Sequence, residues 1–351
     1  MRWYDPLLYL FALLYDLVTC VRNWMFDTGL KRSFNFKVPV VVVGNLNLGG
    51  SGKTPMVEYL IECFQDKFEI ATLSRGYGRK TRGFLLADQD MGPNELGDEP
   101  FQIFTKYGKN VTVSVGEKRV PAILEILRLR PKTNLLLLDD AFQHRYVKGD
   151  FYVLLTTYQK PFYRDNVLPL GTLREHPSGA KRADIVIVTK CPLDVSHEEK
   201  ESMKTQIQRF TKAEVVFAGI QYGQPIAVNP KFPEVRKDVV LVSGIANDRL
   251  FAEEVQKHFN MLHRLSFPDH YRYKLSDIKK MRELLLESSS AMILTTEKDA
   301  VKLKSEAFSK YLEDFPIFVL PIKVKLEQDK SQYLDARINK IIKDKAYISE
   351  S

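Results

Sequence analysis

Cysteine is scarce in this 351-residue chain. Cys20, Cys63 and Cys191 are the only three, far apart and without a Cys-x-x-Cys pair. That excludes a disulfide framework and a cysteine zinc site, and it fits a reducing compartment. There is no internal repeat, no low-complexity segment and no RNP-like or zinc-finger pattern. Aromatic residues are not interleaved with a basic stripe, so nucleic acid ranks last among possible anionic partners. The apolar stretch from Pro6 to Val21 is shorter than the about 20 residues of a bilayer span, and Asp16 and Thr19 interrupt it.

What remains is a globular composition, 44% hydrophobic and 27% charged, enough for a large single domain or two ordinary ones. A formal charge of +8 points to phosphate ligands or an acidic membrane surface. On a helix, Asp5, Tyr9, Ala12, Asp16, Thr19 and Asn23 fall three and four residues apart. They form one narrow polar stripe beside a broad face of Leu, Phe and Val. Trp3, Trp24, Arg22, Lys31, Arg32 and Lys37 read as interfacial anchors. No small-residue cleavage site follows, as a signal peptide would need. The spacing thus predicts an N-terminal amphipathic helix at a membrane interface over residues 1–30, with packing against its own domain as the rival reading.

Apolar runs at 38–43, 69–73, 111–115, 134–140, 150–155 and 183–189 end in polar or glycine-rich turns, with helical periods between some of them. This predicts a mostly parallel sheet sandwiched by helices over residues 31–220. A Gly- and Pro-rich stretch, 221–235, reads as a linker to a second, smaller α/β unit over 236–345.

The stretch "GNLNLGGSGKTP" (44–55) follows the run "VPVVVV" directly. Its glycines allow backbone N–H groups to converge on phosphate oxygens, Lys53 adds a positive charge, and the Thr54 hydroxyl suits Mg²⁺. A strict P-loop would have glycine where Asn47 stands. "LLLLDDAFQH" supplies the second half of a nucleotide site, an apolar strand ending in Asp139 and Asp140 that suits Mg²⁺. Guanine specificity is not signalled: in "VTKCPLD", Thr189 precedes Lys190 and Asp194 lies too far along. Leu48 stands where a signature-lysine ATPase would carry its lysine.

These motifs occur in order with "LSRGYGRK" (73–80), "LGDEP" (96–100), "LPLGTLRE" (168–175), "FPDHYRY" (267–273) and "LTTEKDAVKL" (294–303). Together they closely resemble the tetraacyldisaccharide 4'-kinases, the lipid A kinases of Gram-negative bacteria, over most of the chain to about residue 325. That family tolerates residues other than glycine at position 47; Ala141 departs from its pattern, where glycine is expected.

The resemblance implies a P-loop NTPase-like α/β fold and transfer of the ATP γ-phosphoryl group to the 4'-hydroxyl of a tetraacyldisaccharide 1-phosphate. It implies a peripheral protein on the cytoplasmic face of the inner membrane, with no obligate protein partner evident. A membrane-associated P-loop ATPase or chaperone without a lipid acceptor is the alternative.

By the same resemblance, Asp98 and His270 form a base dyad beside Lys53, assembled from two domains. From the residues alone, His270 reads as an idle cleft histidine. Asn47, Leu48, Gly49, Gly50, Ser51, Gly52, Lys53 and Thr54 are expected at the nucleotide, with Gln143 near it. Arg75, Tyr77, Arg119, His144 and Arg174 are expected at the acceptor. Thr54, Asp139, Asp140, Glu99 and Glu175 are expected on the Mg²⁺ side. Lys298 and Asp299 read as structural or interdomain.

Overall fold

The computed structural model describes residues 5–192, 194–269, 271–304 and 306–350. Fourteen strands fall into two sheets. They are β1 (Val40–Asn45), β2 (Ile70–Ser74), β3 (Leu85–Leu86), β4 (Thr112–Val115), β5 (Leu135–Asp139), β6 (Phe151–Thr157), β7 (Ile185–Thr189), β8 (Glu214–Tyr222), β9 (Ile226–Ala227), β10 (Asp238–Ser243), β11 (Asn260–Ser266), β12 (Met292–Thr295), β13 (Ile317–Val319) and β14 (Ile322–Leu326).

The large sheet has the order β14-β8-β7-β6-β1-β5-β2-β4-β3, and the small one β11-β10-β12-β13-β9. Both are parallel except at their edges: β14 on β8, β3 on β4 and β9 on β13 are antiparallel. The apolar strands are covered on two faces, as parallel sheets require. Val41 and Val43 join Met56, Leu60 and Phe64 of the helix Lys53–Phe64 in one core. Val40 and Val42, pointing the other way, join Ala122, Ile123 and Ile126 of the helix Arg119–Leu129.

The run "FPIFVLPIKV" is split between the sheets. Ile317–Val319 pairs in the small sheet, and after Pro321 the residues Ile322–Leu326 pair with β8 in the large one. The C-terminal helix Gln328–Glu350 follows, burying Leu334, Ile338 and Ile342 in the large sheet's core. The unit expected at 236–345 therefore includes residues that belong to the large sheet. The expected linker holds the end of β8 and all of β9. Neither crossing is legible in the sequence, because periodicity identifies a strand but not the sheet it joins.

The N-terminal helix spans Asp5–Asp27. Ala12 and Phe26 are buried beneath it, whereas Leu10, Phe11, Leu13, Leu14, Leu17, Val18, Val21 and Trp24 are each 46–62% exposed. So large an exposed apolar face marks an interaction surface rather than ordinary protein surface. Among the described residues no helix is long and apolar enough to cross a membrane.

The tightest spot in the central strand is Gly44, where an added Cβ would lie 2.6 Å from the Phe142 Cβ and 2.9 Å from its amide nitrogen. Gly44→Ala is expected to destabilise the protein by about 1–3 kcal/mol through overpacking, read as a lower urea midpoint at unchanged m-value.

Candidate functional site

The register of β1 against β5 sets Val43 beside Asp139, so the loop after β1 and the acidic pair after β5 emerge side by side. In that loop Gly49 (φ +103°) and Gly52 (φ +83°) are left-handed, a conformation that favours glycine. Asn47 does not have a positive φ, which is why glycine is not needed there. Its side chain instead donates to Asp165 Oδ2 (2.8 Å), and its carbonyl accepts from Asn45 Nδ2 (2.7 Å). The segment 172–174 is laced to the same loop, Leu48 N donating to the Thr172 carbonyl and Arg174 N to the Leu46 carbonyl, both at 2.7 Å.

Lys53 lies 3.8 Å from Asp140 Oδ1 and 3.4 Å from Asn45 Oδ1. Arg174 grips Asp140 with both guanidinium nitrogens, at 2.7 and 3.1 Å. Burial pushes the Asp140 carboxyl up, but Lys53 and Arg174 more than offset it and hold it below the usual range. Its own φ of +48° is left-handed. Asp139 is driven upward by burial and by the nearby Glu99 and Asp140. Arg119 is buried, one guanidinium nitrogen reaching the Gly116 carbonyl and the other the Asp139 carbonyl at 3.5 Å. Burial lowers it to about 10, so it keeps its charge at neutral pH.

A cleft of about 390 Å³ opens between the loop and the small sheet. Residues 48–54, Tyr77, Glu99, Asp140, Arg174 and Lys298 line its polar side, and Ile220, Tyr222, Leu250, Phe251, Leu320 and Ile322 its apolar side. The helix Glu297–Leu303 closes it against the helix Asp98–Tyr107 by three ion pairs: Glu297 with Lys106 (2.8 Å), Lys298 with Glu99 (3.3 Å) and Lys302 with Asp98 (3.7 Å). Lys298 also pairs with Asp269 (3.0 Å), so its ammonium joins both halves of the molecule, as an interdomain reading would have it. His270 lies outside the described residues.

Not every expected site residue lines this cleft. Arg75, Asp98, Arg119, Asp139, Gln143, His144 and Glu175 line neither it nor the adjoining 200 Å³ cavity. Glu175, expected on the metal side, is 2% exposed with both oxygens engaged. Asn23 donates to Oε2 (2.7 Å), while Gln143 (3.0 Å) and Arg182 (2.7 Å) donate to Oε1. Thr54, Asp139 and Asp140 supply the hard oxygen donors that suit Mg²⁺. Asp139 Oδ1 and Ser51 Oγ are buried without a hydrogen-bond partner, so these residues fit a cation and phosphate oxygens. Among the described residues no three His, Cys, Asp or Glu are grouped to hold a metal, which leaves an ion here to share phosphate oxygens.

Sequence reasoning missed the N-terminal helix as part of this framework. Tyr15 donates to the Arg174 carbonyl (2.8 Å), Arg22 to the Gln143 carbonyl (2.9 Å) and Asn23 to Glu175. The stripe that docks contains Ala12, Thr19 and Asn23 of the expected set, while Tyr9 is exposed. Tyr15 and Arg22 complete it. Arg22 reads from the sequence as an interfacial anchor, and Tyr15 lies outside the polar stripe that the helical spacing marks.

The profile of the Tetraacyldisaccharide-1-P 4'-kinase family matches residues 4–340. The chain belongs to this family. It is 42% identical to the tetraacyldisaccharide 4'-kinase of Flavobacterium psychrophilum over 92% of this chain and 93% of that one. It is 37% identical to that of Bacteroides thetaiotaomicron over 96% and 92%. A crystal structure of LpxK from Aquifex aeolicus in complex with ATP superposes with a TM-score of 0.74 at 29% identity, covering 96% of this chain and 99% of that one.

Two outcomes follow from this geometry. Asn23→Ala leaves an oxygen of the buried Glu175 carboxylate without its donor, and is expected to cost about 1–3 kcal/mol by chemical denaturation. His144 is held down to about 4, chiefly by burial and then by Arg119, Arg22 and Arg75. Its contribution to stability is complete above the unfolded value of 6.5 and is lost as pH falls from there toward 4. His144→Gln is expected to flatten that acid limb, by at most about 1.4 kcal/mol per pH unit, in urea titrations between pH 7 and 4.

Proposed function

We propose that the protein transfers the γ-phosphoryl group of ATP to the 4'-hydroxyl of a tetraacyldisaccharide 1-phosphate, forming the 1,4'-bisphosphate of lipid A biosynthesis. The carrying observation is the family match along nearly the whole chain. The cleft supports it, because its polar wall holds Lys53, Asp140 and the loop glycines, while its apolar wall suits a nucleotide base.

In this reading the loop amides and Lys53 bind the transferring phosphate, and Lys53 stabilises charge that grows there during transfer. Mg²⁺ held through Thr54 and the acidic pair would neutralise phosphate charge. In this reading Asp98, in the first turn of its helix and 3.7 Å from Lys302, acts with His270 on the acceptor hydroxyl proton. Arg174 fixes Asp140, and Glu175 with Gln143 fixes the loop that carries Arg174. In this reading Tyr77, on the cleft wall, serves the acceptor's headgroup together with Arg75 and His144 from outside the cleft, and the buried Arg119 acts through the Asp139 carbonyl it reaches.

The acceptor is a lipid, so we place the protein peripherally on the cytoplasmic face of the inner membrane of a Gram-negative bacterium. The exposed face of the N-terminal helix supports that placement: it presents leucines, a phenylalanine and Trp24, with Lys31 and Arg32 just beyond its end.

Incubation with ATP, Mg²⁺ and the disaccharide 1-phosphate lipid is expected to yield a product with one further phosphate. Lys53→Ala should reduce the rate by at least about a hundredfold without lowering the thermal midpoint. ATP hydrolysis indifferent to the lipid would overturn the kinase reading in favour of an acceptor-free ATPase.

A further inference from the structure

Lys190 follows directly on β7, in the motif "VTKCPLD" that the guanine-binding pattern does not explain. Its φ is +57°, one of two non-glycine residues with a positive φ among the described residues, and the other is Asp140 in the site. Such a conformation persists only where the surroundings over-determine it. Here they do. Tyr158 N donates to the Thr189 carbonyl (3.0 Å) and Cys191 N to the Ala218 carbonyl (3.1 Å). Thr189 Oγ1 donates to the Ser51 carbonyl at 2.8 Å, so the phosphate loop and the Lys190 backbone are fastened to one another.

The side chain crosses the glycines of that loop. Its ammonium nitrogen lies 3.7 Å from the point where a Gly50 Cβ would stand, and it lines both the 390 Å³ cleft and the 200 Å³ cavity beside it. Burial lowers its pKa, opposed by the more distant Asp269. Among the described residues it makes no hydrogen bond and no ion pair. Its half-buried ammonium thus opens onto the two cavities with no hydrogen bond to the described residues, and an anion entering there meets a charge that only the Asp269 carboxylate's field offsets.

We propose that Lys190 is a second phosphate-binding cation of the nucleotide site, contacting the bound nucleotide's phosphates in addition to Lys53. The proposal rests on the kinase reading only in that ATP occupies this loop. A half-buried cation held against a loop of small residues, with strain in its own backbone, is suited to a ligand and poorly suited to stability. The acceptor's phosphate offers the same chemistry, so the test must separate the two sources.

Binding of ADP with Mg²⁺ to the full chain is measured by calorimetry for the wild type, Lys190→Met and Lys190→Arg. Lys190→Met is expected to weaken ADP about tenfold or more, as loss of one charge-assisted hydrogen bond would. In turnover the ATP KM should rise correspondingly, with kcat within about threefold and the lipid KM unchanged. Lys190→Arg should restore most of the affinity. The ligand-free thermal midpoint of Lys190→Met should equal or exceed that of the wild type, and its gain on adding ADP should be smaller.

Wild-type affinity for ADP in Lys190→Met would overturn the proposal while leaving the kinase reading intact. A rise confined to the lipid KM would assign the residue to the acceptor and equally overturn it. A lower ligand-free midpoint together with unaltered ADP affinity would reduce Lys190 to a structural role. Absence of ADP binding in the wild type would overturn both readings.

Discussion

A parallel ladder places Val43 of β1 opposite Asp139 of β5, and the phosphate loop and the acidic pair take their relative positions from that pairing. Side chains alternate faces along a strand, so a slip of β5 by one residue would turn Asp139 to the opposite face and exchange its leucines between the two helix-covered cores. The cores on the two faces oppose that slip. With the register fixed, the loop after β1 and the turn after β5 have little freedom, and Lys53 and Arg174 close on Asp140 as one group with an excess positive charge. Asp140 remains ionised despite its burial because two cations face it.

The helix Glu297–Leu303 has the same dependence on a frame set elsewhere. Its strand, β12, belongs to the small sheet, yet its first turns meet the helix Asp98–Tyr107 of the large one. Lys106 pairs with Glu58 (2.5 Å) on the helix behind the phosphate loop as well as with Glu297. Glu99 and Glu297, both on the cleft wall, are thus each paired with a lysine of the opposite half. A group that depends on both halves is complete only when they are together, which is how closure links substrate binding to chemistry in two-part enzymes.

Much of this was legible in the sequence where the signal is local. Apolar runs marked β1, β2, β4, β5, β6 and β7 of the large sheet but not β3, β8 or β14, and the glycine-rich stretch 49–52 with Lys53 and Thr54 marked the phosphate loop, because strand length, turn residues and helix start are written within a few residues of each other. The role of Asn47 was legible only as a departure from pattern; its bond to Asp165 joins residues 118 apart in the chain. The apolar wall of the cleft draws on β8, the loop before β14 and the helix Arg249–His258, and no short window contains it. Glu175 was misplaced for a related reason. Its sequence motif marks it as part of the site, but whether a carboxylate meets a ligand or an arginine depends on Arg182 and on Asn23, which lies on a helix 152 residues away.

The chain passes from the large sheet to the small one after Tyr222 and returns before Ile322, and the two passages lie side by side, Gly223 N donating to the Pro321 carbonyl at 2.9 Å. They form a two-stranded ribbon. A pair of hydrogen-bonded crossings resists twisting and sideways swing far more than a single strand of chain would. Any relative movement of the halves is thereby confined to bending across the ribbon's width, with the loop glycines on one wall of the cleft and Lys298 on the other.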